Sequence, residues 1–328
     1  MMSRMVALGV AAAAEFCALA FAFQGPAGPI QVRTHSPLAT VEPSDETASQ
    51  PILRVNSSLV LVPVRVTDAD GVTVTSLHKD DFEIFEDGVR QPITHFAKDD
   101  APVSVGVLLD ISGSMKNKME RASQAATEFF KYANPEDEFF LVEFNERAKL
   151  KTSFTRDWPG ITDQISRARA SGETAMLDAI HLALSKMKGA RFERKALLVI
   201  SDGGDNISRR SFRELKNTLL EADVQVYSLG VYDSDYALKK HTPEERNGPT
   251  LLDRVAKDTG GRDFPVGLDN LPTIGTEIAR ELRNQYVLGF APATATADGK
   301  FHRVNLKLAA SHSPLRAYYR QGYYAPNQ

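Results

Sequence analysis

Four continuous apolar runs of strand length, separated by longer stretches with helical spacing, constrain this chain more than any other feature. They read PVSVGVLLD (102–110), EFFLVEF (138–144), KALLVISD (195–202) and VQVYSLGV (224–231). A run that stays apolar at nearly every position, instead of every second one, belongs in a strand covered on both faces. Between the runs, Met119, Ala122, Ala126, Phe129 and Phe130 recur at spacings of three and four, as do Leu177, Ile180, Leu184 and Met187, and then Phe212, Leu215 and Leu219. Leu251, Leu252, Val255 and Ala256 make a further stripe that stops at Gly260-Gly261. Strands alternating with helices imply an α/β fold, a doubly wound and mainly parallel Rossmann-like sheet over 101–284, with right-handed crossovers. LKTSFT (150–155) is short enough to be an antiparallel edge strand on 138–144.

The flanks change period. ILRVNSSLVLVPVRVTD alternates around Val60, Val62, Val64 and Val66, DADG (68–71) supplies a turn, and DFEIFEDGVRQPITHF gives two more alternating runs across Glu86-Asp87-Gly88. After a helix-like LPTIGTEIARELRN (271–284), the runs QYVLGFAP (285–292), FHRVNLKLA (301–309) and LRAYYRQGYYAP (315–326) return to β. The segments 52–100 and 285–328 are each marginal alone, and together they fit one β-sandwich interrupted by the α/β insertion.

Ahead of these, residues 1–22 carry Arg4, an apolar run from Val6 to Phe23 broken by Glu15, and Ala20-Phe21-Ala22 at the place of a cleavage site. This is the plan of a secretory signal. Glu15 at the centre of the run is costly in hydrocarbon, so the expectation is an exported protein, periplasmic or secreted, with a membrane anchor only if the segment is retained. Residues 23–51 are rich in Pro, Ser, Thr and Gly, as a flexible spacer would be. The single cysteine, Cys17, excludes an internal disulfide and any CxxC metal site. Thirty-nine Lys and Arg against 42 Asp and Glu leave a net charge of −3, which points away from nucleic acid.

The chemistry lies at strand ends. Asp110-Ile111-Ser112-Gly113-Ser114 follows the first apolar run and opens the first helix. In an open parallel sheet, ligands bind beyond the carboxyl ends of strands where the strand order reverses, and the first strand usually lies there. Asp110, Ser112 and Ser114 offer a carboxylate and two hydroxyls, an all-oxygen set suited to a hard divalent cation, Mg²⁺ or Mn²⁺, more than to Zn²⁺. Thr174, in a loop before a helix, and Asp202, at the end of another buried run, converge on the same sheet edge.

DxSxS, a later GxT before a helix and a later strand-ending SDG resemble, in this order, the metal-ion-dependent adhesion site of von Willebrand factor type A domains. The resemblance covers 102–283. It implies Asp110, Ser112, Ser114, Thr174 and Asp202 as the metal shell, Asp202 and Thr174 acting directly or through water, around Mg²⁺, Mn²⁺ or Ca²⁺. It further implies a non-catalytic module that captures an Asp or Glu carboxylate of a partner protein. The flanks are similar to those of exported bacterial proteins in which a type A domain lies between β segments.

Two alternatives stand beside this reading. One is a scaffold of an envelope assembly held by a structural cation. The other is a metal-dependent hydrolase, but an aspartyl-nucleophile phosphatase would want Asp at position 112, and a serine hydrolase would want GxSxG with a His partner. Asp205 and Asn206 read as turn formers, Asp178 as a tether, a cap or a solvated residue, and His181 as packing or surface. The segment 232–250 reads as a surface loop or as a specificity loop beside the site. The tyrosines 318, 319, 323 and 324 read as packing, and Arg209, Arg210 and Arg213 as solvated.

Overall fold

The computed structural model describes residues 59–98, 100–232, 243–266, 271–292, 298–309 and 314–325, so the expected signal at 1–22 and spacer at 23–51 lie outside the described residues. The described chain runs through β1 (Val60–Thr67), β2 (Phe82–Glu86), β3 (Val89–Gln91) and β4 (His95–Lys98). An α/β stretch follows: β5 (Ser104–Asp110), α1 (Met119–Tyr132), β6 (Glu138–Phe144), β7 (Ala148–Thr155), α2 (Trp158–Arg167) and α3 (Met176–Met187). It continues with β8 (Lys195–Ser201), α4 (Phe212–Ala222), β9 (Gln225–Val231), α5 (Pro243–Asp258), β10 (Asp263–Val266) and α6 (Leu271–Arg283). The last strands are β11 (Tyr286–Phe290), β12 (Phe301–Leu308), β13 (Arg316–Tyr319) and β14 (Gly322–Tyr324).

The central sheet has the order β10-β9-β8-β5-β6-β7 and is parallel except for β7. Every residue of β5 and β9 is buried, as the continuous apolar runs require, because helices cover both faces. Val105, Val107 and Leu109 face a core built with α1, α2 and α6. Leu108, Phe140, Val142, Leu197 and Val199 face a second core built with α3, α4 and α5. Each fully buried Val, Leu or Phe side chain here contributes about 1.5–3 kcal/mol. The order runs outward from β5 to β6 on one side and to β8, β9 and β10 on the other, so β5 stands at the switch point.

The flanking strands form two four-stranded sheets, β13-β1-β11-β4 and β14-β12-β2-β3. Strands from either side of the α/β stretch pair directly: β1 with β11 and β13, and β2 with β12. Val62, Val64, Ile84, Leu288, Phe290 and Val304, drawn from both sheets, share one apolar core. The β2–β3 hairpin turns through Asp87 (φ 47°) and Gly88 (φ 87°), the two positive values a tight two-residue turn demands.

Three elements escaped the apolar-run reading. Helix α2 buries only Ile161 and Ile165 and is started by Asp157, whose Oδ1 accepts the Gly160 N–H at 3.1 Å. Strand β10 contains Pro265, tolerable at the sheet edge where one side of the strand needs no partner. The run 315–326 is two strands, β13 and β14, in different sheets.

Buried polar contacts join the β layers to the α/β layer. Arg65 on β1 donates to Glu281 Oε1 on α6 at 3.1 Å, and Arg262 donates to the same oxygen at 2.8 Å. Gln285, between α6 and β11, donates to Gln225 Oε1 at 2.8 Å and to the Tyr227 hydroxyl at 3.0 Å.

Candidate metal centre

Strand β5 ends on Asp110, whose carboxylate is fully buried. Its Oδ1 accepts the Ser112 N–H at 2.8 Å and its Oδ2 accepts the Ser201 hydroxyl at 2.6 Å. The hydroxyl of Ser201 in turn accepts the Gly203 N–H at 2.9 Å, tying the end of β8 to the end of β5. Burial, and then the negative charge of Asp202, push the Asp110 carboxyl up to about 7 against the pull of its hydrogen bonds. Two carboxylates with little access to water thus press on each other, an arrangement that favours positive charge between them.

The chain then turns so that Ser112 and Ser114 bring their hydroxyls within 3.0 Å of one another. Ser112 is buried and Ser114 exposed, which gives the constellation a closed floor and an open rim. Gly113 donates its N–H to Gly172 O at 2.8 Å, so the first motif is stitched to the loop that carries Thr174. Asp202 Oδ1 and Thr174 Oγ1 lie 3.7 and 3.8 Å from the position a Cβ on Gly204 would take. The fold therefore brings Asp110, Ser112, Ser114, Thr174 and Asp202 to the carboxyl edge of the sheet at its switch point.

Several supporting residues were not singled out from sequence as parts of this centre. Asn206 Oδ1 accepts the Thr174 N–H at 2.9 Å, and the Asn206 N–H returns to Thr174 O at 3.0 Å. Asp205 accepts the Leu177 N–H and the Ser208 hydroxyl at the start of α3, so it and Asn206 position the Thr174 loop as well as turning the chain. Asp178 accepts the N–H groups of Arg209 and Arg210, both at 3.2 Å, and is a tether. His181 leaves its Nδ1 buried without a hydrogen-bond partner and takes no part in the cluster. Lys118 Nζ donates to Asp202 Oδ2 at 2.7 Å.

Of the segment 232–250, residues 243–250 begin α5 instead of continuing a loop, and 233–242 lie outside the described residues. Gly248 packs on the backbone of Asp202 and Gly203 so tightly that a Cβ there would stand 2.8 Å from Asp202 O. Gly203 itself has φ 85°. The spacing of SDGG and NGP carried no hint of this contact, since it depends on how α5 returns to the sheet.

The donor set is all oxygen: two carboxylates and three hydroxyls. No group of three or more His, Cys, Asp or Glu side chains that could hold a metal ion occurs among the described residues. The Asp110 oxygens accept the Ser112 N–H and the Ser201 hydroxyl. A hard divalent cation fits these donors.

Residues 105–204, which include all five oxygen-bearing positions, match the family model of the von Willebrand factor type A domain. Over 144 residues the chain is 26% identical to an uncharacterized protein of Synechocystis sp., covering 43% of this chain and 31% of that one. Over 185 residues it is 24% identical to the inter alpha-trypsin inhibitor heavy chain 4 of Mus musculus, covering 52% and 19%. The alignments thus span less than a third of either relative. A solved von Willebrand factor type A structure from Catenulispora acidiphila is 14% identical, with 75% of this chain and 72% of that chain covered and a TM-score of 0.43.

Proposed function

Residues 105–204 make a von Willebrand factor type A domain, and from that premise we propose that this chain is a non-catalytic binding module that captures an Asp or Glu side chain of a partner protein through a divalent cation. The observation that carries the reading is the convergence of five oxygen donors on one sheet edge, with Asp110 as a buried floor and Ser114 as an exposed rim. Asp110, Ser112 and Ser114 would hold Mg²⁺ or Mn²⁺, with Ca²⁺ as an alternative, and Thr174 and Asp202 would complete the set. When bound, such a cation supplies a Lewis-acid position at which a partner carboxylate makes a charge-assisted contact.

The chain's own part is to keep the donors in place without the partner. Ser201 and the Ser112 N–H fix the Asp110 carboxylate, Asn206 fixes the Thr174 loop, and Asp178 anchors 209–210 behind it. A non-catalytic role is favoured by the same contacts. Neither Ser112 nor Ser114 hydrogen-bonds a histidine among the described residues, so no imidazole base is paired with either hydroxyl. We place the protein outside the cytoplasm on the strength of residues 1–22, whose pattern is that of an export signal.

The test has two stages. Purified chain should bind Mn²⁺, read by loss of the free-ion EPR signal, and Asp110→Ala should not. A partner retained from envelope extract should then be released by EDTA, return with Mg²⁺ or Mn²⁺, and fail to bind Asp110→Ala. Retention indifferent to chelator and to that substitution would refute the reading.

A further inference from the structure

Lys118 occupies a position that helix chemistry disfavours. It is the residue just before α1, its side chain caps nothing, and its charge stands at the end of the helix where cations are least welcome. The explanation lies 84 residues away in sequence, where the ammonium meets Asp202 Oδ2 at 2.7 Å. The two side chains are 9% and 6% exposed, so this is a buried pair, unlike the surface ion pairs on α1 and α2. One of the two Asp202 oxygens is therefore committed to an internal cation, and the other faces Thr174 across Gly204.

We propose that Lys118 is a built-in counter-cation that competes with the divalent ion for Asp202, holding the cluster together without that ion and setting a weak metal affinity. The inference rests on the metal-binding reading and deepens it. Once Asp110 ionises to meet a cation, it and Asp202 carry two negative charges in a nearly dry cluster, and one ammonium offsets half of them. A dication arriving with the ammonium in place would bring three positive charges against two negative. At an effective dielectric of about 20, a unit charge a few ångströms from a dication is repelled by roughly ten times thermal energy. The four-carbon stem of Lys118 lets the ammonium swing out, so cation entry gives up the Lys118–Asp202 pair. Metal affinity is lowered by what that pair is worth, and the chelated protein keeps its fold because Asp202 is never left unpaired.

The experiment compares the chelator-stripped full chain with K118M, K118R and Asp110→Ala, titrating Mn²⁺ by EPR and following melting with and without the ion. K118M should bind Mn²⁺ at least about tenfold more tightly than the parent, equivalent to about 1.4 kcal/mol. K118R, which keeps the charge, should stay close to the parent. Metal-free K118M should melt below the parent and gain more from Mn²⁺ than the parent does. Unchanged or weaker binding by K118M overturns the inference, since a residue that only positions Asp202 would be missed when removed. A K118M protein that stays unfolded even in Mn²⁺ overturns it as well, because the ion is required to replace the ammonium. If the parent and K118M both match Asp110→Ala in binding no Mn²⁺, the metal-binding reading itself falls and takes the inference with it.

Discussion

The buried ion pair between the β layers and the α/β layer makes an asymmetric prediction. Arg65 and Glu281 are 2% and 3% exposed, and Arg65 also stacks over the Tyr318 ring at 4.1 Å. Glu281 has a second partner in Arg262, whose side chain is 40% exposed. Replacing Glu281 with Leu leaves the Arg65 guanidinium desolvated with no counter-charge, which should cost about 3–5 kcal/mol. Replacing Arg65 with Met leaves Glu281 still paired to Arg262, and the loss should fall to about 1–3 kcal/mol. The double variant removes both charges and fills the space with apolar groups, so it should return to within about 1 kcal/mol of the parent.

Urea unfolding measures all four stabilities. Trp158, the only tryptophan, stacks on Phe130 and reports the α/β layer by fluorescence, while circular dichroism reports the whole chain. A Glu281→Leu loss below about 1 kcal/mol, or a double variant less stable than either single one, would show that the pair does not bear on the join as argued.

Three further outcomes follow from the geometry. Gly248→Ala should destabilise by about 1–3 kcal/mol and weaken Mn²⁺ binding together, because its Cβ would press on the Asp202 and Gly203 backbone; calorimetry and EPR titration check both. Asn206→Ala should cost about 1 kcal/mol and loosen Mn²⁺ binding severalfold by freeing the Thr174 N–H, with α3 helicity by circular dichroism unchanged. His302 has its ring nitrogens on Asp87 (2.9 Å) and Asp298 (3.3 Å); burial lowers its pKa, yet these bonds and charges outweigh it and the net shift is upward from 6.5. A raised folded value means the stabilisation is complete below about pH 6.5 and lost as pH rises through that higher value. The advantage of the parent over His302→Gln in urea should therefore shrink from about pH 5.5 to about pH 8.5, and a constant difference would contradict it.

Much of the fold was legible because burial on both faces writes itself into sequence as an unbroken apolar run. Strands β5, β6, β8 and β9 are covered by helices on each side, and their residues had no reason to alternate. The flanking strands were legible by the opposite sign, the alternation of Val60, Val62, Val64 and Val66, although Val66 and its neighbours Arg65 and Thr67 are all buried. That lapse in alternation marks where Arg65 leaves the outer face of the sheet to reach Glu281. Strands β13 and β14 were less legible because Arg320 and Gln321 carry the chain from one sheet to another, and only the long-range pairing of β13 with β1 and of β14 with β12 decides that step.

The candidate centre divides in the same way. Asp110, Ser112, Ser114, Thr174 and Asp202 stood out because each is a polar residue at the end of a strand or the start of a helix, where local chemistry already isolates it. Their supports act through tertiary contacts and look ordinary in sequence. Ser201 reads as the polar tail of a strand until its hydroxyl is found on Asp110, and Asn206 reads as a turn until its amide oxygen is found on Thr174. Lys118 is the sharpest case, since a lysine near a helix start is normally taken for a solvated charge. What separates it from Lys116 is burial: one ammonium is enclosed with a carboxylate and the other residue is exposed. A near balance of 39 basic and 42 acidic residues therefore says little about the cluster, whose charge is set by two aspartates and one lysine that the fold withdraws from water together.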